Sequence, residues 1–96
     1  MPVKEALYRI TQEALHNIVK HAHASQVGLS LTCDKERLRL EIKDNGQGFD
    51  PSGSFPGHLG LHSMCERTEQ VGGQFTLESS PGRGARVLVE IPIRSI

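Results

Sequence analysis

The clearest structural signal in this chain is Leu38-Arg39-Leu40-Glu41-Ile42-Lys43-Asp44-Asn45-Gly46-Gln47-Gly48-Phe49. Apolar and charged residues alternate through its first half, which predicts a strand with one buried and one solvated face. Asp44 follows on the even-numbered, apolar side, where the strand meets a glycine-rich turn. Burying an unpaired carboxylate is costly, so we expect a hydrogen-bond donor to meet it, and a bound ligand is a good candidate. The alternative is an ordinary turn residue at a strand end.

Composition limits the classes of function that this chain can serve. Its 96 residues support one small domain, residues 1–96. Eleven basic and eleven acidic residues cancel, and tryptophan is absent, so neither nucleic acid nor an anionic membrane is expected as a partner. Cys33 and Cys65 have no close-spaced partner, which favours a reduced, cytoplasmic protein. No segment is apolar for long enough to span a bilayer, although a larger parent protein could be anchored elsewhere.

The periodicity of the chain predicts the order α-β-β-α-β-β, which implies an α+β fold with helices on one face of a mixed, mostly antiparallel sheet. The first helix is expected from Val3 to about Ala22, because apolar residues recur there every three or four positions. A loop from Gly46 to about Gly57 is rich in Gly, Pro and Ser, as mobile lids are. The remaining predicted elements are strands at Val27–Cys33, Leu38–Lys43, Gln74–Ser79 and Ala85–Ile91, and a helix at Leu61–Val71 that ends at Gly72-Gly73.

Polar residues at the edge of the first helix form a candidate metal and phosphate site. Glu13 and Asn17 stand four residues apart, so they are neighbours on the helix surface and flank its apolar stripe. Such a pair could hold a hydrated Mg²⁺, which keeps several waters and takes few protein ligands. The alternative is that both are boundary residues that cap the core. Lys20, one turn later, could meet a phosphate, or it could simply be a solvated lysine near a helix C-terminus.

The glycines and histidines give further candidates. Gly57 and Gly60 precede the second helix, where small residues let the backbone approach a ligand and free N–H groups attract phosphate. A tight hairpin is a sufficient explanation for Gly82 and Gly84. No Cys or carboxylate pattern completes a zinc site with the five histidines. We therefore treat His21 and His58 as candidate phosphate neighbours and the other three as surface residues.

Taken in order, these motifs match a known family. Ala6–Asn17, with Lys20-His21-Ala22 after it, resembles the N box of sensor histidine kinases, and Asp44–Phe49 resembles their first glycine box, D-x-G-x-G. Gly57–Leu61 resembles the second glycine box, and Gly82 to Pro92 looks like the terminal hairpin. The resemblance covers essentially the whole chain. It points to the GHKL superfamily, and within it to the ATPase domain of NarL-, DesK- and LiaS-like kinases, whose Bergerat-type fold is a two-layer α/β sandwich.

The resemblance implies ATP and Mg²⁺ as ligands. Asp44 would accept the adenine amino group with help from a bound water, and Asn17 would ligate Mg²⁺. Glu13 would be the neighbouring acid, either the catalytic base or a metal neighbour through water. A buried carboxylate should also reject GTP, because guanine offers an acceptor where adenine offers a donor. The residues that would surround the phosphates and shape the pocket and lid are Lys20, His21, Gly46, Gly48, Gly57, His58, Gly60 and Leu61.

The implied function is to supply the phosphoryl group for histidine autophosphorylation in a two-component signalling kinase. The partners would be a helical dimerisation and phosphoacceptor domain of the same protein and, through the parent kinase, a response regulator. Because that helical domain is not in these 96 residues, we expect the fragment to bind nucleotide without autophosphorylating. Two alternatives stay open: an anti-sigma-factor serine kinase of the same superfamily, and a non-catalytic, ATP-sensing interaction module.

Three positions depart from the family pattern. Ala85 stands where the family commonly has a threonine after the last glycine, so one polar contact near the adenine edge is in question. Ser63 and Cys65 replace the usual glycine and arginine of the second glycine box, which puts the lid contacts in question. The residues with the central roles are all present.

Overall fold

The computed structural model describes residues 2–48 and 61–96, with His21, Ala22 and Ser95 described by their backbone alone. A π-helical turn, Ile18–Ala22, continues the first helix, and a short 3-10 turn, Ile93–Ser95, follows the last strand. The predicted element order and the α+β class are confirmed. The helices and strands are α1 (Val3–Asn17), β1 (Val27–Cys33), β2 (Arg37–Asp44), α2 (Leu61–Gln70), β3 (Gln74–Ser79) and β4 (Ala85–Pro92).

The four strands form one sheet in the order β1-β2-β4-β3. Each pairing within residues 2–48 and 61–96 is antiparallel, so the expectation of a mixed sheet narrows to an antiparallel one there. Leu40 lies opposite Leu31 on one side and Val89 on the other. Directly opposite residues share a face, so the even-numbered residues of β2 all lie on one side of the sheet, as the alternation predicts.

Both helices cover that inner face, which makes the molecule a two-layer sandwich. Ile10 of α1 and Met64 of α2 are completely buried against the sheet. Burying a side chain of this size stabilises the fold by roughly 1.5–3 kcal/mol. The core consists of Ala6, Ile10, Ala14, Leu40, Ile42, Met64, Val71, Val87, Val89 and Ile91.

The edge strand β1 is less buried than its alternating pattern suggests. Val27, Leu29 and Leu31 share the inner face with β2 but remain 48%, 52% and 56% exposed. The physical reason is helix position: α1 packs against the neighbouring β2, and α2 packs against β3, the edge strand at the other side of the sheet. Alternation fixes which face a side chain joins, whereas the helix position fixes whether that face is covered.

Ion pairs cover the outer face of the sheet. Arg86 Nε donates to Glu41 Oε2 at 2.6 Å, and Arg86 also pairs with Glu78. Arg37 Nη1 donates to Glu90 Oε2 at 2.9 Å. The bond from Arg86 lowers the pKa of the Glu41 carboxyl, and it raises the pKa of the arginine. Charged residues therefore dominate this face, as the odd-numbered residues of β2 predict. Leu88 lies there as well, opposite Glu41, and is buried.

The chain reverses in the β1–β2 turn and at the end of α2, where the sequence predicts that the helix stops at Gly72-Gly73. In the β1–β2 turn, Asp34 Oδ1 accepts hydrogen bonds from the Glu36 and Arg37 N–H groups at 2.7 and 2.9 Å. These backbone donors lower the pKa of the Asp34 carboxyl. At the end of α2, Gly72 adopts φ +76°, a left-handed conformation that ends helices and favours glycine. In the described part of the chain, no helix has the length and apolar character needed to cross a membrane.

Candidate functional site

Asp44 is the last residue of β2, opposite Val27 and Ala85. This register puts its side chain on the helix-covered face, and the residue is half-buried, as the alternation predicts. Asp44 Oδ1 accepts a hydrogen bond from the Gly46 N–H at 2.7 Å. The turn itself therefore supplies one hydrogen-bond donor to the carboxylate and orients it at the end of the sheet.

The turn after Asp44 depends on its glycines. Gly46 is buried, and Gly48 has φ +63°. A Cβ atom on Gly48 would overlap the Ser80 carbonyl oxygen and lie 2.7 Å from the Gly84 oxygen. Gly48 is therefore required for both its conformation and the space around it, because L residues rarely adopt a positive φ.

Asn45 is a structural residue of the site for which sequence analysis predicted no role. Its Oδ1 accepts the N–H groups of Ser25 and Gln26 at 3.0 and 2.9 Å, and its Nδ2 donates to Ser25 Oγ at 2.9 Å. It thereby ties the segment between α1 and β1 to the end of β2. Asparagine readily bonds to nearby backbone in this way, but the sequence does not show which distant segment it reaches.

A cavity of about 510 Å³ opens at this end of the sheet. Asp44, Ala85 and Ser79 line it from one row across β2, β4 and β3. Arg83 joins them from the β3–β4 turn. Lys43, Glu78 and Arg86 line it as well, so the cavity extends toward the charged outer face of the sheet, and no described residue of α1 or α2 lines it. Because Ala85 faces the same row, the position that departs from the family pattern lies directly beside Asp44.

Glu13 and Asn17 lie near the end of α1, and both are half-buried. The Asn17 Oδ1 atom is completely buried. An amide oxygen and a carboxylate one turn apart are chemically suitable for Mg²⁺, which prefers oxygen ligands. Within the described residues no three His, Cys, Asp or Glu side chains cluster around a possible metal position. The pair of Glu13 and Asn17 by itself suits an ion that takes one or two protein ligands and completes its shell with water or phosphate.

The other predicted site residues are placed unevenly. Lys20 lies in the π-helical turn and is exposed, and the backbone of His21 follows it. Leu61 is the first residue of α2 and is half-buried. Gly57, His58 and Gly60 lie outside the described residues, as does the predicted lid from residue 49 onward.

The two residues that depart from the family pattern in the second glycine box both lie on α2. Ser63 and Cys65 are half-buried. Burial, followed by the nearby charges of Glu69 and Glu66, raises the pKa of the Cys65 thiol. Cys65 is therefore a small packed residue in the position where the family usually has an arginine, and it brings no positive charge there.

Comparison with known proteins shows the family of the chain. Residues 3–95 match the family described as "Histidine kinase-, DNA gyrase B-, and HSP90-like ATPase". The chain belongs to this family. The match covers α1, the Asp44 turn, α2 and the terminal hairpin together, so the predicted resemblance to this family is confirmed.

Sensor kinases are among the curated relatives of this ATPase domain. Over 91 residues, 95% of this chain, it is 41% identical to the signal transduction histidine-protein kinase/phosphatase DegS of Brevibacillus brevis. It is 40% identical over the same length to the sensor histidine kinase LiaS of Bacillus subtilis. The chain spans about a quarter of the length of these relatives (24% and 25%).

A solved structure supports the fold. The crystal structure of the ATP-binding domain of PrrB from Mycobacterium tuberculosis is 34% identical and superimposes with a TM-score of 0.74. The match covers 92% of this chain and 67% of that one. These matches identify the chain as a histidine kinase-type ATPase domain like those of sensor kinases.

Proposed function

We propose that residues 1–96 are the ATP-binding catalytic domain of a longer sensor histidine kinase. The domain binds Mg-ATP and presents the γ-phosphate to a histidine on a helical dimerisation domain elsewhere in the parent. The observation that carries this proposal is the Asp44 carboxylate, half-buried at the end of β2 and oriented by the Gly46 N–H. The sensor kinases among the relatives favour this activity over an anti-sigma-factor serine kinase.

Asp44 selects the base in this proposal. Oδ1 holds the turn through Gly46, and Oδ2 accepts the exocyclic amino group of adenine with help from a bound water. Guanine carries a carbonyl oxygen at the corresponding position, and two acceptors repel each other. Leaving buried polar groups without a partner makes such discrimination large, so GTP should bind much more weakly than ATP.

The residues of α1 handle the phosphates. Asn17 would hold Mg²⁺ through its side-chain oxygen, which is buried in the free chain and would have to turn outward to reach the ion. Glu13 would act through a water or as the base. When bound, Mg²⁺ neutralises charge on the phosphate oxygens. Lys20 and His21 would lie near the phosphates, and the remaining contacts would come from Gly46, Gly48, Gly57, His58, Gly60 and Leu61. Phosphoryl transfer needs mainly positioning and charge stabilisation, so no protein nucleophile is required here.

The partners follow from this role. The helical phosphoacceptor domain of the parent receives the phosphoryl group, in cis or in trans, and a response regulator acts downstream. The domain works in the cytoplasm with no nucleic acid and no membrane contact of its own, whether or not the parent is anchored. The isolated 96 residues bind nucleotide without autophosphorylating. Stable label from [γ-³²P]ATP on one of their own histidines would contradict this last point.

Thermal unfolding with Mg-ATP, Mg-ADP and Mg-GTP tests nucleotide binding. A ligand at about 100 times its Kd adds about 2.7 kcal/mol, which raises the midpoint of a domain of this size by roughly 10–20 °C. We expect this rise with both adenine nucleotides and a much smaller one with Mg-GTP. An unchanged unfolding midpoint with both Mg-ATP and Mg-ADP would contradict the proposal.

Asp44→Asn tests the role of the carboxylate, and Asp34→Asn is its matched control. Both aspartates accept a backbone N–H through Oδ1, and they lie at opposite ends of β2, Asp34 in the turn that precedes the strand. The amide keeps that acceptor but replaces the second oxygen with a donor. We expect Asp44→Asn to fold and to lose the adenine response, and Asp34→Asn to keep it. Equal responses from the two variants would show that Asp44 does not read the base.

A further inference from the structure

The terminal hairpin and the Asp44 turn make a backbone-to-backbone contact at Gly84. Gly84 lies just before β4, with φ +74°, and is buried. A Cβ atom at this position would overlap the Asp44 carbonyl oxygen, 3.0 Å from its carbon and 3.2 Å from Asn45 Cα. Only a residue without a side chain allows the two main chains to come this close. The hairpin alone explains the turn, but it does not explain this contact.

Neighbouring bonds hold Gly84 in this position. Ser79 Oγ donates to the Gly84 carbonyl oxygen at 2.7 Å. The Gly82 N–H donates to the Gln47 carbonyl oxygen at 2.5 Å, which joins the two turns a second time. From the opposite side, a Cβ on Gly48 would overlap the Ser80 oxygen. The β3–β4 turn is therefore fastened to the segment from Asp44 to Gly48 at several points.

We propose that Gly84 is a positioning residue for the Asp44 carboxylate, an inference that rests on the proposed function of Asp44 in reading adenine. The Asp44 main chain is confined by Gly84, and its side chain is confined by the 2.7 Å bond from the Gly46 N–H. A side chain at Gly84 would displace the Asp44 peptide, and the carboxylate would move with it. Gly84 thus acts on the base-reading oxygen through the Asp44 main chain. Because Gly84 also lines the cavity, a measurement without nucleotide is needed to separate positioning from direct contact.

Gly82 provides a matched control within the same turn. Its φ is +81°, close to that of Gly84, but a Cβ at Gly82 would have no heavy atom within 4 Å. Gly82→Ala therefore introduces the conformational strain of a positive φ alone. Gly84→Ala introduces similar strain together with the collision against Asp44. The difference between the two variants isolates the contact.

The first measurement needs no nucleotide. In ¹H–¹⁵N spectra of the free chain, the Gly46 amide proton reports its hydrogen bond to the Asp44 carboxylate. We expect Gly84→Ala to shift this resonance clearly and Gly82→Ala to leave it close to its wild-type position. If the Gly46 amide has the same chemical shift in the two variants, the proposal is wrong, whatever the thermal stabilities of the variants.

The second measurement is the Kd for Mg-ADP by calorimetry at a temperature where each variant is folded. We expect a weakening of about tenfold or more for Gly84→Ala and of less than about threefold for Gly82→Ala. Equal affinities in the two variants, with wild-type binding intact, would overturn the role of Gly84 and leave the proposed function standing. No binding by the wild-type chain would instead overturn the proposed function, while the amide shift would still measure the coupling.

If Gly84→Ala does not fold, Ser79→Ala takes its place. This variant removes the bond to the Gly84 carbonyl without creating backbone strain. We expect the Gly46 amide resonance of the nucleotide-free variant to shift in the direction predicted for Gly84→Ala, but by a smaller amount. Because Ser79 also lines the cavity, the nucleotide-free spectrum is its readout, and an unmoved Gly46 amide would contradict the proposal.

Discussion

Asn45 and Ser25 are joined by hydrogen bonds in both directions: Asn45 Oδ1 accepts the Ser25 N–H at 3.0 Å, and Asn45 Nδ2 donates to Ser25 Oγ at 2.9 Å. The Gln26 N–H donates to the same Oδ1 at 2.9 Å. One side chain thus fastens the segment just before β1 to the end of β2. The Asp44 turn is therefore stabilised from the α1 side as well as from the terminal hairpin.

Asn45→Ala should destabilise the domain. It leaves two backbone donors and one hydroxyl without this partner, at a cost of about 1–2 kcal/mol, since water can reach the exposed site. Urea unfolding measures the change. Asn45→Asp keeps the Oδ1 acceptor and loses only the donor to Ser25 Oγ, so it should cost less. Equal losses in the two variants would show that the backbone bonds contribute nothing.

The core prediction compares two positions on the first helix and its continuation. Ile10 is completely buried, whereas Val19 in the π-helical turn is 84% exposed. Ile10→Ala should cost about 2–5 kcal/mol through lost burial and the cavity left behind. Val19→Ala should change the free energy of unfolding by less than about 0.5 kcal/mol. Chemical denaturation tests both, and a small effect at Ile10 would contradict the packing of α1 on the sheet.

Two glycines outside the candidate site differ in the space around them. A Cβ on Gly73 would lie 2.8 Å from the Glu90 oxygen and 2.9 Å from Ile91 Cγ1. Gly73→Ala should therefore destabilise the domain by about 1–3 kcal/mol through overpacking. At Gly28 the nearest atom, Lys43 Cγ, would be 3.9 Å away, so Gly28→Ala should be neutral or stabilise by about 0.4–1 kcal/mol. Thermal unfolding tests both: Gly73→Ala should melt at a clearly lower temperature than Gly28→Ala. A lower melting temperature for Gly28→Ala than for Gly73→Ala would contradict the prediction.

The Glu41–Arg86 pair predicts a dependence of stability on pH. The bond from Arg86 lowers the pKa of Glu41 below its ordinary value of 4.5. The pair therefore stabilises the fold above pH 4.5, and this contribution is lost as the pH falls through the lowered pKa. Glu41→Gln should lower the midpoint at pH 7 by roughly 2–4 °C, and the gap to wild type should close in acid.

A control for this pair is Glu5→Gln. Glu5 lies 4.0 Å from Arg9, and both side chains are about half exposed. Thermal scans from pH 3 to pH 7 should show little difference between Glu5→Gln and wild type across the whole range. If the melting temperature of Glu41→Gln differs from that of wild type by the same amount at pH 3 and pH 7, the carboxylate charge is not the stabilising feature.

The two cysteines should react at different rates. Cys33 is exposed on the edge strand, whereas Cys65 is half-buried in α2. Burial raises the pKa of the Cys65 thiol, so less thiolate is present at neutral pH, and the thiolate is the reacting form. Iodoacetamide at pH 7.5, followed by peptide mass spectrometry, should label Cys33 severalfold faster. Faster labelling of Cys65 would contradict its placement.

Much of the fold is local in origin, and the sequence predicts it for that reason. Gln74–Ser79 forms a strand with the predicted bounds, and Gly72 ends α2 because a left-handed residue stops a helix. The first helix begins at Val3 as expected, but its last turn, Ile18–Ala22, is π-helical. The apolar spacing of this segment suits either helical turn, so the pattern could not separate them.

The candidate site was predictable where it depends on alternation and unpredictable where distant segments meet. By itself the sequence placed Asp44 on the inner face, because a strand repeats every two residues. It gave no means to see that Gly84 presses against the Asp44 carbonyl or that Asn45 reaches Ser25. Those contacts join residues 40 and 20 positions apart, and they exist only because the antiparallel sheet and the helix above it bring these turns to one end of the molecule. The chain thus encodes locally the face on which the Asp44 carboxylate lies, while contacts between distant turns surround its main chain.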